Sequence, residues 1–243
     1  MHRNILKIIA IFVIGMVGGI FADQIFWPYF VERPLFYQYR LEQSPVYVTE
    51  RKETIIQENT ALEEAIEKVE KVVAGVRTET EMGKFAEGSA LIVTSDGLMV
   101  TLAELVPQGS KFSFFVDGQP VSYQILKRDL TDNLALVKIG ETNLPIVNFA
   151  NLEKTKLGER VFLINAVFET ATSTKVNIVK TVNEGIIHGL DENFIKTNIF
   201  EKYTVLGSPL FNIKGEVLGI NTLDSDGKVI TIPITKIRTF IGI

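Results

Sequence analysis

The feature that most constrains the fold is a series of short, β-branched apolar runs separated by turn pairs that contain glycine. Four of these pairs are Asp96-Gly97, Asp117-Gly118, Lys214-Gly215 and Asp226-Gly227. Glycine accepts the positive φ angle that tight hairpins require, so each pair predicts two antiparallel strands joined by a short turn. Between residues 72 and 233 the pattern predicts antiparallel barrels or a sandwich, followed by a short helix over residues 235–241.

The first 30 residues are predicted to form a membrane anchor outside the globular fold. Ile8–Ala22 carries no charge, and Ile25–Phe30 extends the apolar stretch with aromatic residues that suit a membrane interface. A cleavable signal peptide has the same layout, but residues 20–22 make a poor cleavage site. We expect an uncleaved signal anchor, with a cytoplasmic N-terminus and the domain outside the cytoplasmic membrane.

Residues 31–59 are predicted to form a linker and the start of a helical neck. Apolar residues then recur at helical spacing up to Val73, and Thr60 followed by Glu63 suits a capping box. Two interpretations of this helix stay open: it packs on its own domain, or it associates with other copies of the chain.

Composition excludes several classes of function. The 243 residues suffice for a membrane segment and one large domain or two small lobes. The net charge is −4 and the basic residues are scattered, which argues against nucleic-acid binding. There is no cysteine, the acids are dispersed, and the only histidines are His2 and His188, so we expect no metal and no cofactor.

Residues 203–222 carry the most specific signal, reading Y-T-V-L-G-S-P-L-F-N-I-K-G-E-V-L-G-I-N-T. This segment resembles the G-N-S-G-G-P-L-x-N-x-x-G-x-V-I-G-I-N-T segment of the trypsin-like HtrA/Deg serine proteases. Four more segments resemble family motifs in the same order: 87–101 (G-S-G-F-I-I-x-x-D-G-Y-I-L-T), 128–139 (R-D-x-x-T-D-L-A-V-L-K-I), 181–187 (T-V-T-x-G-I-V) and 230–233 (the closing A-I-P). The resemblance covers nearly all of residues 60–243.

The resemblance implies an all-β domain over residues 60–243, built from two antiparallel six-stranded β-barrels with the active site in the cleft between them. Many members of the family carry C-terminal peptide-binding PDZ domains, and we expect none here, because the sequence ends before one could begin. The family commonly forms trimers through its barrel domain and N-terminal segment, so a homotrimer is a possible assembly.

The resemblance also places the catalytic triad of the family on residues that lack its chemistry. The histidine position falls on Glu104, the aspartate position on Asn133 and the serine position on Leu206. Asp132 lies one residue early, and a one-residue shift in a strand reverses the face of the side chain. Acyl transfer needs a nucleophile, a base and an orienting carboxylate, so the sequence predicts a pseudoprotease.

Two other interpretations stay open. In the first, the chain is an active endopeptidase that uses Ser208 with Glu104 or Lys202, which requires an open Ser208 within hydrogen-bond reach of Glu104, Lys202 or Asp132. In the second, it is a purely structural envelope protein. His188 is expected to be a surface or half-buried strand residue rather than a catalyst.

The preferred interpretation is an inactive binding, scaffolding or regulatory module in the cell envelope. Its expected partners are a protein or peptide ligand, held by strand addition at an exposed edge, and active HtrA-like proteases.

Overall fold

The computed structural model of the chain describes residues 2–32, 60–79, 83, 85–171, 175–201 and 203–243. At the N-terminus, helix α1 (His2–Phe21) continues as a π-helix (Ala22–Glu32). Its segment His2–Tyr29 is 28 residues long and apolar enough to cross a membrane. This length and composition suit a membrane anchor or a signal sequence. Most of the predicted linker, residues 33–59, lies outside the described residues.

Helix α2, described over residues 60–69, packs on its own domain. Ala65 and Val69 are buried in the main apolar core. Val69 reaches the Lys214-Gly215 turn, where its Cγ1 would lie 2.9 Å from a Cβ added at Gly215. On the same turn, Lys68 Nζ donates to the carbonyl oxygen of Lys214 at 3.3 Å. The apolar residues that recur at helical spacing therefore pack on the domain of the same chain.

The first half of the domain is a curled antiparallel sheet of seven strands, in the order β5-β4-β1-β2-β3-β7-β6. The strands are β1 (Val73–Glu79), β2 (Phe85–Ile92), β3 (Leu98–Leu102), β4 (Lys111–Val116), β5 (Gln119–Val121), β6 (Tyr123–Asp129) and β7 (Leu134–Ile139). The edge strands β5 and β6 are joined by Ser122 alone, so the sheet must curl to bring its edges together. Tyr123 of β6 contacts Phe114 of β4, with ring centroids 5.0 Å apart.

The second half is a closed barrel of six strands with one short additional strand. Its strands are β8 (Asn148–Phe149), β9 (Arg160–Ala171), β10 (Lys175–Leu190), β11 (Ile195–Thr197), β12 (Pro209–Asn212), β13 (Glu216–Leu223) and β14 (Val229–Pro233). The order β12-β9-β10-β11-β14-β13 closes because β12 also pairs with β13, and β8 adds to β13 in parallel. Helix α3 (Ile234–Ile241) follows β14.

The structure confirms the mostly β fold, and it confirms one of the two predicted barrels. The first half has seven strands rather than six, because Ser122 separates β5 from β6. These two strands pair with different neighbours, and among the described residues no backbone pairing closes this sheet. In the other half, β10 is one continuous strand of 16 residues.

All four glycine-containing turn pairs lie between consecutive strands of a hairpin, as the sequence predicts. Two apolar clusters fill the domain. One lies inside the curled sheet and extends to Phe162, Phe211 and helix α3, and the other fills the closed barrel around Leu163 and Leu210.

Candidate functional site

Glu104 lies in a short 3-10 turn (Ala103–Leu105) that follows β3 directly. Ala103 and Leu105 are buried and fix the turn on the core, which leaves the Glu104 side chain exposed. The Glu104 backbone N–H donates to Asn133 Oδ1 at 3.0 Å, and the Ala103 N–H donates to the Asn133 carbonyl oxygen at 3.1 Å. The side chain and the backbone of Asn133 therefore both hold the backbone of this turn.

Asn133 precedes β7 in a left-handed conformation with φ 53°, which asparagine adopts more readily than most residues. Its Nδ2 donates to Glu104 Oε1 at 2.7 Å. The side chains assigned to the histidine and aspartate positions are thus brought together and hydrogen-bonded, in addition to the backbone contacts.

Thr222 of β13 completes the contacts of this carboxylate. Its Oγ1 donates to Glu104 Oε1 at 3.2 Å. Because Glu104 belongs to the curled sheet and Thr222 to the closed barrel, the carboxylate lies where the two halves of the domain meet. The sequence analysis did not select Thr222, although it is the last residue of the family segment G-I-N-T.

Leu206 lies in the loop between the 3-10 turn Tyr203–Val205 and β12. The leucine is half-buried against the main core, and its carbonyl oxygen accepts the Ser89 N–H at 2.9 Å. The loop meets the Glu104 turn at Gly88, where an added Cβ would lie 2.6 Å from both the Leu105 side chain and the Leu206 carbonyl oxygen. The three residues assigned to the triad therefore belong to neighbouring segments.

Gly207 sets the path of this loop. Its φ is +76°, and a Cβ at this position would lie 2.1 Å from the Ser89 carbonyl oxygen. The Gly207 N–H donates to the Asn221 carbonyl oxygen at 2.9 Å. Only glycine can adopt this left-handed conformation and lie this close to β2 without a shift of the backbone.

Ser208 is fully buried. Its Oγ donates to the Val205 carbonyl oxygen at 2.7 Å and accepts from Asn221 Nδ2 at 3.0 Å. Thr231 Oγ1 donates to Asn221 Oδ1 at 2.6 Å and extends this buried network. The open Ser208 that the active-endopeptidase interpretation requires is not present in the structure, because the hydroxyl is used to fix the loop.

The other candidate residues lie elsewhere or have other partners. Asp132 is paired with Lys236 of α3, with 2.9 Å between Oδ1 and Nζ. His188 is exposed on β10, in agreement with its expected surface position. Lys202 lies outside the described residues.

A backbone edge lies beside this site at Leu223. The Asn221 N–H donates to the Ser208 carbonyl oxygen at 2.8 Å, so the backbone groups of Asn221 point away from β14. Backbone direction alternates along an antiparallel strand, so those of Leu223 point to the same side. Pairing with β12 ends at Pro209 opposite Ile220, and no described strand lies beside Leu223. Among the described residues, no backbone partner is recorded for the N–H and C=O of Leu223 on this side, which makes them candidates for pairing with an added strand.

A closed barrel, a curled partner sheet and a loop–turn constellation at their junction define the class of trypsin-like domains. The model of the family described as "Trypsin-like peptidase domain" matches residues 88–220. The chain belongs to this family, and its relatives identify the domain as HtrA/DegP-like.

Relatives and solved structures agree. The chain is 34% identical over 164 residues to Serine protease HTRA1 of Xenopus laevis, which covers 65% of the chain and 36% of that protein. It is 31% identical over 137 residues to a probable periplasmic serine endoprotease DegP-like of Chlamydia muridarum, which covers 56% and 28%. The chain thus spans about a third of the length of these relatives.

The serine endoprotease from Yersinia pestis shares the fold, with a TM-score of 0.64 and 24% identity, over 74% of this chain and 65% of that one.

Proposed function

We propose that this domain binds extended protein segments without cleaving them, as a catalytically inactive HtrA-like module. One observation carries the proposal: the loop position of the family's nucleophile holds Leu206, and the nearby hydroxyl of Ser208 is buried in the network that fixes the loop.

The chemistry of acyl transfer supports this proposal. The reaction needs a hydroxyl or thiol that attacks and a base that takes its proton. Glu104 could accept a proton, but its Oε1 already accepts hydrogen bonds from Asn133 and Thr222. The side chain of Leu206 offers no proton to abstract. An exposed carboxylate with no nucleophile for it to activate suits binding better than covalent catalysis.

The proposed mode of binding is strand addition at Leu223. An extended peptide that pairs with the free edge of β13 would gain backbone hydrogen bonds and lie across the junction of the two halves. Side chains of the ligand would then point alternately towards and away from the cleft. This mode needs no catalytic group, so it survives the substitutions at all three triad positions.

We further propose that the helix His2–Tyr29 remains as a membrane anchor, with a cytoplasmic N-terminus and the domain in the cell envelope. The length and apolar composition of this segment and the periplasmic DegP-like relative support this location. The proposed partners are unfolded protein segments and active HtrA-like proteases, whose activity the domain would regulate or scaffold. A homotrimer is the proposed assembly, by analogy with the family.

The test is proteolysis of unfolded casein by the full-length chain in detergent micelles, beside an active HtrA-type protease. A fluorophosphonate probe, which labels activated serines, is applied to the chain and to a Ser208→Ala variant. The proposal predicts intact casein and no labelling of either form. Casein turnover or labelling that disappears in Ser208→Ala would contradict it.

A further inference from the structure

The carboxylate of Glu104 lies at the end of the proposed binding edge. Thr222, which donates to Glu104 Oε1 at 3.2 Å, directly precedes Leu223 in β13. The carboxylate is therefore about one residue along the strand from the backbone groups that an added peptide would use. A ligand that pairs with Leu223 and continues past Thr222 would lie beside Glu104.

The negative charge of Glu104 has only neutral partners among the described residues. These are the side-chain amide of Asn133 and the Thr222 hydroxyl. Both side-chain donors reach Oε1, and Oε2 has no described partner. By contrast, the neighbouring carboxylate of Asp132 already has the ammonium group of Lys236 at 2.9 Å.

The balance of charge changes when a peptide covers the site. Glu104 is exposed, so water solvates its carboxylate in the free protein. A ligand strand removes part of that water, and a carboxylate that loses water without gaining a cation is costly. A lysine or arginine side chain of the ligand would offset the cost, whereas an acidic side chain would increase it.

From this juxtaposition we propose that Glu104 makes the cleft selective for extended segments that carry a lysine or arginine beside Thr222. The inference rests on the proposed binding function, and it adds the chemical class of the ligand. The position that carries the general base in active relatives then serves as a specificity residue that reads a positive charge. Asn133 and Thr222 act as positioning residues, because both hold Oε1 and neither occupies Oε2.

The test uses two pools of ten-residue peptides with acetylated N-termini and amidated C-termini. Each peptide of the first pool contains one lysine, and its counterpart in the second pool has norleucine at the same position. Binding to the full-length chain in detergent micelles is measured by fluorescence anisotropy at low and high salt. The comparison variants are Glu104→Gln, which keeps an acceptor for Asn133 and Thr222, and Glu192→Gln, which removes an exposed charge elsewhere.

The inference predicts that the lysine pool binds the unchanged chain about fivefold more tightly than the norleucine pool, the upper range for a partly exposed ion pair. This preference should decrease at high salt. It should disappear in Glu104→Gln, where norleucine binding should strengthen because no charge loses its water. In Glu192→Gln both the preference and the norleucine affinity should persist.

Two results would overturn the inference, and they differ in what they say about the binding function. If both pools bind equally and Glu104→Gln changes neither, the selectivity is refuted while peptide binding stands. If neither pool binds at either salt concentration, peptide binding itself is refuted, and the selectivity with it.

Discussion

The substitution Asn221→Ala tests how the loop that carries Leu206 is held. Asn221 is fully buried, and its side chain bridges two hydroxyls. Nδ2 donates to Ser208 Oγ at 3.0 Å, and Oδ1 accepts from Thr231 Oγ1 at 2.6 Å. Its backbone also pairs with Gly207 and Ser208. Three of the four hydrogen bonds therefore join β13 to the loop and the fourth joins it to β14, and alanine keeps only the two backbone ones.

The expected loss follows from these two side-chain contacts. Ser208 Oγ still donates to the Val205 carbonyl oxygen, so losing the Asn221 amide costs about 1 kcal/mol. Thr231 is also fully buried, and its hydroxyl loses its acceptor, which costs about 2 kcal/mol. The free energy of unfolding should therefore fall by about 3 kcal/mol. For a domain of this size that corresponds to a decrease in Tm of about 6–12 °C.

The assay is urea unfolding of the full-length chain in detergent micelles, monitored by far-UV circular dichroism. Tryptophan fluorescence does not suit this purpose, because the only tryptophan is Trp27 in the N-terminal helix. The matched control is Asn193→Ala, at an exposed asparagine between β10 and β11, for which we expect a change within about 0.5 kcal/mol. An Asn221→Ala variant as stable as the control would refute the role of the buried network.

Three further substitutions test other parts of the structure by the same unfolding assay. Gly207→Ala should lower the free energy of unfolding by at least about 2 kcal/mol, because its φ is +76° and the new Cβ would meet the Ser89 carbonyl oxygen; an unchanged midpoint would contradict this. Val69→Ala should cost about 2 kcal/mol through lost burial of α2, whereas Glu67→Ala on its exposed face should be nearly neutral; equal effects would show that α2 is not packed. Burial lowers the pKa of Lys180 from 10.5, so the contribution of this residue to stability should be fully present above pH 10.5 and be lost as the pH falls through the lowered pKa. The free energy of unfolding measured from pH 8 to 11 should therefore rise less steeply with pH in Lys180→Met than in the unchanged chain. The same dependence on pH in both would contradict the shift.

Much of the second half of the domain could be predicted from the sequence, because its signals are local. The Lys214-Gly215 and Asp226-Gly227 pairs predict the hairpins β12–β13 and β13–β14, and the short helix expected at the end is present as α3. The first half was harder, since the separation of β5 from β6 at Ser122 depends on which strands the two pair with across the sheet. Such pairing is a tertiary effect that overrides the local pattern.

The candidate site divides in the same way. Motif order placed Glu104, Asn133 and Leu206, and the structure brings the first two into contact. The roles of Thr222 and Asn221 could not be predicted from local pattern, because they depend on contacts between segments more than 10 residues apart. The burial of Ser208 likewise depends on Val205 and Asn221 together, and a serine in a glycine-containing loop gives no sign of it in sequence.

The central claim, binding without cleavage, is tested most directly by hydrogen–deuterium exchange at the Leu223 amide. The full-length chain in detergent micelles is measured with and without excess unfolded casein, and the mass of the casein is read from the same sample. Strand addition predicts slower exchange at Leu223 on addition of casein, while the casein remains intact. Unchanged exchange at Leu223, with casein cut into fragments, would contradict the claim.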